Sequence, residues 1–361
     1  DLSKSQNQKI RIPKLMKILC HNFSNALYYI FEGWRQVFIN TGHEWRWLRK
    51  DESILDVFNE YEPDIFIGAT YEVTRALAKA LKARPNMKVI MKGNNWGPSD
   101  SDIDINKFPI GIADDKEKAI VDALKEETGK PDFILNFYHI NRYDYTMSGW
   151  KDILGIDYME GLPAADTFTY KQVEPREELK CDIGFVGGYW PYKGINLNKY
   201  IVPLCYPVGR YDVKIFGNQP WPVPQYLGSS TNKTAEALFA SATICPNISE
   251  PHANEFGFEV NERIFKLAAT KSFCINDSIA SLSEDIFTKN ELVIADDPEH
   301  FFDLVRSFII NPQLREPYVE ACYKTVMNAH TYCHRVANMW KLFGNKEEEQ
   351  KCLSLINNST L

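Results

Sequence analysis

No stretch of this chain approaches the ~18 uninterrupted apolar residues that a transmembrane helix requires. The opening Asp1-Leu2-Ser3-Lys4-Ser5-Gln6 lacks the basic-then-apolar order of a secretory signal. Both absences point to a cytoplasmic protein without a membrane span, and the missing initiator methionine suggests a trimmed chain or a segment of a larger multidomain protein. Positive charge is scarce as well: 41 Lys and Arg stand against 48 Asp and Glu, a net charge of −7. A nucleic-acid binder needs a basic face that neutralises many phosphates, so that class is disfavoured and any phosphate here is bound locally. The eight cysteines (Cys20, Cys181, Cys205, Cys245, Cys274, Cys322, Cys333 and Cys352) are scattered and include no C-x-x-C pair. Neither a zinc cage nor a disulfide framework is indicated, and the thiols read as reduced, several of them in the core. The chain also lacks the G-x-x-x-x-G-K-[ST] phosphate loop and the G-x-G-x-x-G dinucleotide fingerprint, so triphosphate hydrolysis and hydride transfer lose support.

What is present is ample core material. Apolar residues make up 44% and aromatics 13% of the 361 residues, enough for two α/β domains sharing a cleft. Short apolar runs alternate with amphipathic stretches, the pattern of parallel strands joined by crossover helices. In the first half strands are expected at Leu15–Cys20, Asp64–Gly68, Lys88–Lys92 and Asp132–Phe137. Helices are expected around Phe31–Thr41, Ser53–Tyr61, Glu72–Ala83 and Lys116–Thr128, with Asp100–Asp104 a solvated acidic loop. The polar, Pro-broken Val173–Lys180 reads as a linker. A second series follows, with strands at Asp182–Gly187, Val213–Gly217, Thr243–Pro246, Ser272–Asn276 and Glu291–Ala295. Its helices are expected at Asn196–Cys205, Thr234–Ser241, Val260–Ala269, Pro298–Ile310 and Leu314–Ala329. A last helix, Val336–Leu355, follows the completed second sheet and is expected to cross the domain junction. The division is then 1–175, 176–335 and 336–361.

Ligands of open parallel sheets bind beyond the carboxyl ends of the strands. In the first half those tips carry His21 and Asn22, Tyr71 and Glu72, Asn94, Asn95 and Trp96, and Tyr138 and His139. Trp96 and Tyr138 are the residue types that stack on a sugar face, with Asn94, Asn95, Asn22 and Glu72 to bond hydroxyls, although each Asn alone reads equally well as a turn residue. In the second half the first strand runs into Gly187-Gly188-Tyr189-Trp190-Pro191-Tyr192-Lys193-Gly194. Small residues there let backbone N–H groups approach an anion, and Lys193 supplies a cation; Gly217 and Asn218 end the next strand.

The densest constellation runs from Glu250 to Lys266 and includes Glu255, Gly257, Glu262 and Arg263 at a Gly-bearing turn entering a helix. Helix N-terminal amides and dipole favour a phosphate at such a turn. Glu262 and Lys266 are i,i+4 neighbours that also read as a solvated ion pair, which leaves Arg263 the better claim to function.

At these residues the chain resembles the CgeB-like glycosyltransferases of the GT-B superfamily. The likeness rests on Asn261-x-Arg263-x-Phe265 with Leu267-Ala268-Ala269, a strand ending Asn276-Asp277, and the terminal His330-Thr331-Tyr332-Cys333-His334-Arg335. Phe185-Val186-Gly187 with Lys193-Gly194 also resembles the phosphate-binding start of a GT-B donor domain. The resemblance implies two Rossmann-like domains facing a cleft, with a nucleotide-sugar donor on the second and a glycan or other hydroxyl acceptor against the first. Gly187, Gly188, Tyr189, Lys193, Gly217, Asn218, Glu255, Gly257 and Arg263 are then expected on the donor, with Glu262 or Lys266 near the ribose. The substrate would be a UDP- or GDP-sugar, with no metal and no cofactor. Should configuration invert, His139 or His21 is the candidate base. The chain departs from the family where Lys266 replaces a Glu and Lys271 a Gly, and it has no Glu pair seven residues apart between Glu250 and Glu262. His330, Tyr332, His334 and Arg335 are expected to tie the last helix to the donor domain rather than to bind zinc. A nucleotide-sugar epimerase and a two-lobed sugar-binding protein remain the alternatives at this point.

Overall fold

The computed structural model describes residues 15–24, 26–96, 131–152 and 154–358. The acidic loop Asp100–Asp104 and the helix expected at Lys116–Thr128 lie outside the described residues. Two parallel sheets organise the chain. The first contains β1 (Lys17–His21), β2 (Glu44–Leu48), β3 (Ile65–Ala69), β4 (Lys88–Lys92), β5 (Phe133–Leu135) and β6 (Asp157–Tyr158) in the order β2-β1-β3-β4-β5-β6. The second contains β7 (Cys181–Val186), β8 (Val213–Phe216), β9 (Ala242–Asn247), β10 (Cys274–Asp277) and β11 (Val293–Ala295) in the order β11-β10-β9-β7-β8. In each sheet the chain lays its second strand on one side of the first and its third on the other. The carboxyl ends of β1 and β3, and of β7 and β9, are therefore the switch points where doubly wound folds bind ligands.

Strands buried on both faces, such as Ile65-Phe66-Ile67-Gly68-Ala69, are continuous apolar runs. Two strands were not anticipated. β2 is an edge strand whose Glu44-Trp45-Arg46-Trp47-Leu48 alternates charge with aromatics, and β6 is only two residues long. The helix expected at Asn196–Cys205 begins earlier, at Pro191, with proline in the first turn where its missing N–H costs nothing, and ends at Tyr200. The helix expected over Val336–Leu355 is two helices, Tyr332–Leu342 and Lys346–Asn358, broken where Gly344 takes a φ of 72°. The first of them buries Tyr332, Val336, Met339 and Trp340 in the same core as Phe31, Trp34 and Phe38 of the Ala26–Asn40 helix. All eight cysteines are buried and unpaired.

Lys271, which stands where the resembled family has Gly, ends the Arg263–Ala269 helix in the left-handed region with φ 53°. A lysine bears a steric cost there that glycine does not. Its ammonium bonds the exposed Glu320 at 2.6 Å and lies 4.7 Å from the Tyr323 ring centroid, surface contacts that contribute little. Lys271→Gly is expected to stabilise the protein by about 1 kcal/mol, read as a rise of about 2 °C in Tm.

Two seams join the sheets. At one, Tyr138 pairs its backbone with Glu259 and sets its ring edge-on to Phe258 at 4.7 Å, while Arg142 bonds Asp285 at 2.6 Å and Glu284 at 2.7 Å. At the other, Ala165 exchanges backbone bonds with His330 and Tyr332. Thr331 and His334 form a capping box at the start of the Tyr332–Leu342 helix. The buried Arg335 guanidinium donates to Leu162 O (2.9 Å) and Ala329 O (3.3 Å) and meets His330 Nδ1 (3.0 Å) and Glu160 (3.3 Å). The His-Thr-Tyr-x-His-Arg run is thus a cap and an inter-sheet tie.

Candidate active site

The switch point of the second sheet lies where β7 ends at Val186 and β9 ends at Asn247. Gly187 and Gly217 meet there so closely that a Cβ on Gly217 would stand 2.2 Å from Gly187 O, which only glycine permits. Trp221 Nε1 donates to Gly187 O at 2.8 Å and Tyr226 Oη to Gly217 O at 2.8 Å, fixing both loops. Gly188 packs against the exposed Asn218, and the Tyr189 ring lies over Gly194 and beside Trp221. The Pro191–Tyr200 helix starts at this edge, so its N-terminal amides and dipole favour an anion there.

Two cations, the buried Lys193 and the half-buried Arg263, converge on the same edge. Arg263, the first residue of its helix, donates from Nε to Val186 O (2.9 Å) and from Nη1 to Asn247 Oδ1 (3.2 Å) and Ile248 O (3.3 Å). Its guanidinium lies 4.6 Å from the Phe185 ring centroid, and its Nη2 stands beside Gly187. Burial pushes its pKa down to about 10. Lys193 is 8% exposed, with Nζ 4.8 Å from the Trp190 ring centroid. Burial first, and the neighbouring Arg263 charge second, push its pKa down to about 7. Among the described residues neither cation forms a salt bridge with a carboxylate. The nearby buried Asp277 accepts from Ser249 N, Ser249 Oγ and Asn254 Nδ2 instead. The result is an electropositive cradle of two cations, a helix N-terminus and a glycine-lined edge.

Sequence reasoning assigned no role to His252. Its Nε2 meets Glu259 at 2.6 Å and its Nδ1 the Tyr192 hydroxyl at 3.2 Å, and its ring stacks on Tyr192. Burial alone would lower its pKa, but the Glu259 bond and charge, with Glu250, raise it. The left-handed turn at Gly257 folds the chain back to make this pair, so linear spacing gave no sign of it.

Several expected site residues stand elsewhere. Glu262 and Lys266 are paired at 2.5 Å, with Tyr332 Oη donating to Glu262 at 2.7 Å and Lys266 over the Tyr29 and Tyr170 rings, so both are committed to the seam rather than open to a ribose. Glu255 is exposed on the short Pro251–Phe256 helix. Trp96 is no sugar platform: it packs on Gly149 and edge-on to Trp150 in the first core. Tyr138 is buried by Phe258 for the same reason, the second domain covering that tip. Asn95 is buried and accepts from Asn136 Nδ2, and the Asn94 backbone O accepts from Trp150 Nε1. Asn22 is exposed and Glu72 half-buried at the tips of β1 and β3. His21 is half-buried between Phe23 and Phe66, its pKa pushed down to about 4 by desolvation and Lys50, which leaves it a weak base. His139 lies in the seam, 3.7 Å from Glu160 and accepting from Asn141 N. Among the described residues no group of three or more His, Cys, Asp or Glu could hold a metal ion, and no helix is long and apolar enough to cross a membrane.

Comparisons with known proteins agree with this geometry. Residues 183–341 match a family described as glycosyl transferase-like. A sucrose-phosphate synthase from Thermosynechococcus elongatus superposes with TM-score 0.62 at 8% identity, over 92% of this chain and 98% of that one. An alpha-glucosyltransferase in complex with UDP gives 0.60 at 12% identity, over 91% and 100%. A DNA-modifying beta-glucosyltransferase gives 0.55 at 13% identity, over 93% and 100%. No curated protein matches in sequence. The fold is GT-B, and the family match lies over the second sheet and the helices that follow it.

Proposed function

We propose that the protein transfers a sugar from a nucleoside-diphosphate sugar to a hydroxyl of a glycan or similar acceptor. The reading rests above all on the buried Lys193 and the half-buried Arg263, two cations without a carboxylate partner among the described residues, at the switch point of the second sheet. Cations and amides fixed there stabilise the charge that develops on the departing diphosphate, and they do so without reorganising. In this reading 176–335 carries the donor, 1–175 the acceptor side, and 336–361 ties the two. Two of the similar structures are complexes with UDP-glucose and with UDP, which supports a UDP-sugar, with a GDP-sugar the alternative. One neighbour is described as DNA-modifying, but the net charge of −7 favours a neutral acceptor here. Membership of the CgeB-like subfamily is supported by Asn261-x-Arg263-x-Phe265 and by the His330–Arg335 run. Eight unpaired buried thiols suit a reducing compartment, and we place the enzyme in the cytoplasm.

Because Lys193 and Arg263 supply the charge, donor binding is proposed to need no divalent ion. Calorimetric titration with UDP and GDP, in EDTA and again with manganese, tests both claims. Saturable binding of one nucleotide in EDTA is the expected result, and binding only with manganese would overturn metal independence.

A further inference from the structure

The Ala26–Asn40 helix follows β1, so its first turn stands at the carboxyl edge of the first sheet, the edge that faces the cleft in this fold. Tyr28 and Tyr29 occupy that turn and are 36% and 45% exposed. The Tyr28 ring stacks on Trp47 at 5.3 Å with 29° between planes, and Trp47 lies level with Cys20 near the end of β1. Tyr29 lies under Lys266 of the second domain at 5.1 Å, so the aromatic patch borders the inter-domain seam. One turn on, Glu32 accepts from Arg35 Nε (2.7 Å) and Nη2 (2.5 Å) and from Gln36 Nε2 (2.9 Å). The patch is thus a stacked aromatic pair, edged by Tyr29, with a planar fork of polar groups beside it.

We propose that Tyr28 and Trp47 form the platform on which the acceptor's sugar ring lies, an inference that rests on the sugar-transfer reading above. A pyranose presents one apolar C–H face and a rim of hydroxyls. Stacked rings cover the first, and the Glu32–Arg35 fork offers acceptors and donors to the second. Charge decides between this ligand and a nucleic acid. Arg35 is already neutralised by Glu32 and Arg46 by Glu52, which leaves few free cations beside the rings for a phosphodiester backbone. Sequence reading missed the platform because its two rings lie nineteen positions apart, on a helix and an edge strand that was itself not anticipated.

The test uses the full chain saturated with UDP, titrated with methyl glycosides of glucose, galactose and mannose, with maltose and cellobiose, and separately with a short duplex DNA. Tryptophan fluorescence reads the platform. At least one saccharide should give a saturable change at millimolar concentration. Tyr28→Leu, a change at an exposed site, should weaken that response about tenfold, whereas Tyr28→Phe, which keeps the ring, should retain it within about threefold. UDP affinity and melting should be unaltered in both variants. The proposal is overturned if no saccharide responds while UDP binds normally, if Tyr28→Leu binds saccharide like the parent, or if DNA alone gives the Tyr28-dependent response. Failure of UDP itself to bind would bring down the transfer reading and this proposal with it.

Discussion

Lys193→Met is expected to weaken binding of the nucleoside diphosphate by roughly ten- to a hundredfold, the loss of one charge-assisted bond of about 1.5 to 3 kcal/mol. Methionine nearly preserves the length of the buried stem, so the variant should fold and melt at the parent temperature or above it. Retained stability separates this outcome from general damage. The pH dependence adds a second signature. The protonated amine is the form that binds an anion, and in the free protein its pKa is pushed down to about 7. Affinity should therefore decline as pH rises above about 7, and near neutrality binding should take up a proton, seen calorimetrically as an enthalpy that depends on the buffer's ionisation heat. The stability effect has the opposite sign. Between about 7 and the ordinary lysine value of 10.5 the unfolded chain holds a proton that the folded chain has released. Stability attributable to this group then rises with pH across that window, and Lys193→Met should remove the rise.

Arg335→Ala should have the largest effect on stability. The side chain is 4% exposed and reaches Leu162 O, Ala329 O, His330 and Glu160 together. Its removal strands two carbonyls and a carboxylate at the seam between the domains, at a cost of about 3 to 5 kcal/mol. Urea unfolding should show a much lower midpoint at an unchanged slope. Arg335→Lys keeps the charge but cannot reproduce the forked geometry and should recover only part of the loss. UDP affinity in the surviving folded fraction should change less than it does in Lys193→Met. Arg263 is a less clean probe, because its bonds to Val186 O and Ile248 O hold two strand ends together and Arg263→Ala should cost stability as well as affinity.

Much of this architecture was legible in the residues. Strands buried on both faces announce themselves as apolar runs, and β1, β3, β4, β7 and β8 lie close to where the runs placed them. The edge strand β2 escaped because solvent on one side lets charge enter its pattern, and the final helix broke where Gly344 adopts a conformation no helical period reveals. The glycine-lined edge of the second sheet was legible for a local reason: Gly187, Gly188, Gly217 and Asn218 directly follow strands, and topology alone brings such tips together. Trp96 and Tyr138 also follow strands, yet Trp150 and Phe258 cover them. A one-dimensional pattern gives a tip but not what packs onto it. The Glu262–Lys266 ion pair was legible from its i,i+4 spacing, but the bond from Tyr332, seventy positions away, to that carboxylate was not.

The most direct measurement of the central claim is a crystal structure of the protein with UDP in the presence of EDTA. The diphosphate is predicted at the carboxyl end of β7, with Lys193 Nζ and Arg263 at about 2.7 to 2.9 Å from its oxygens and Gly187 and Gly188 against it. UDP seated on the first sheet, or in the second domain without contact to Lys193 and Arg263, would contradict the account.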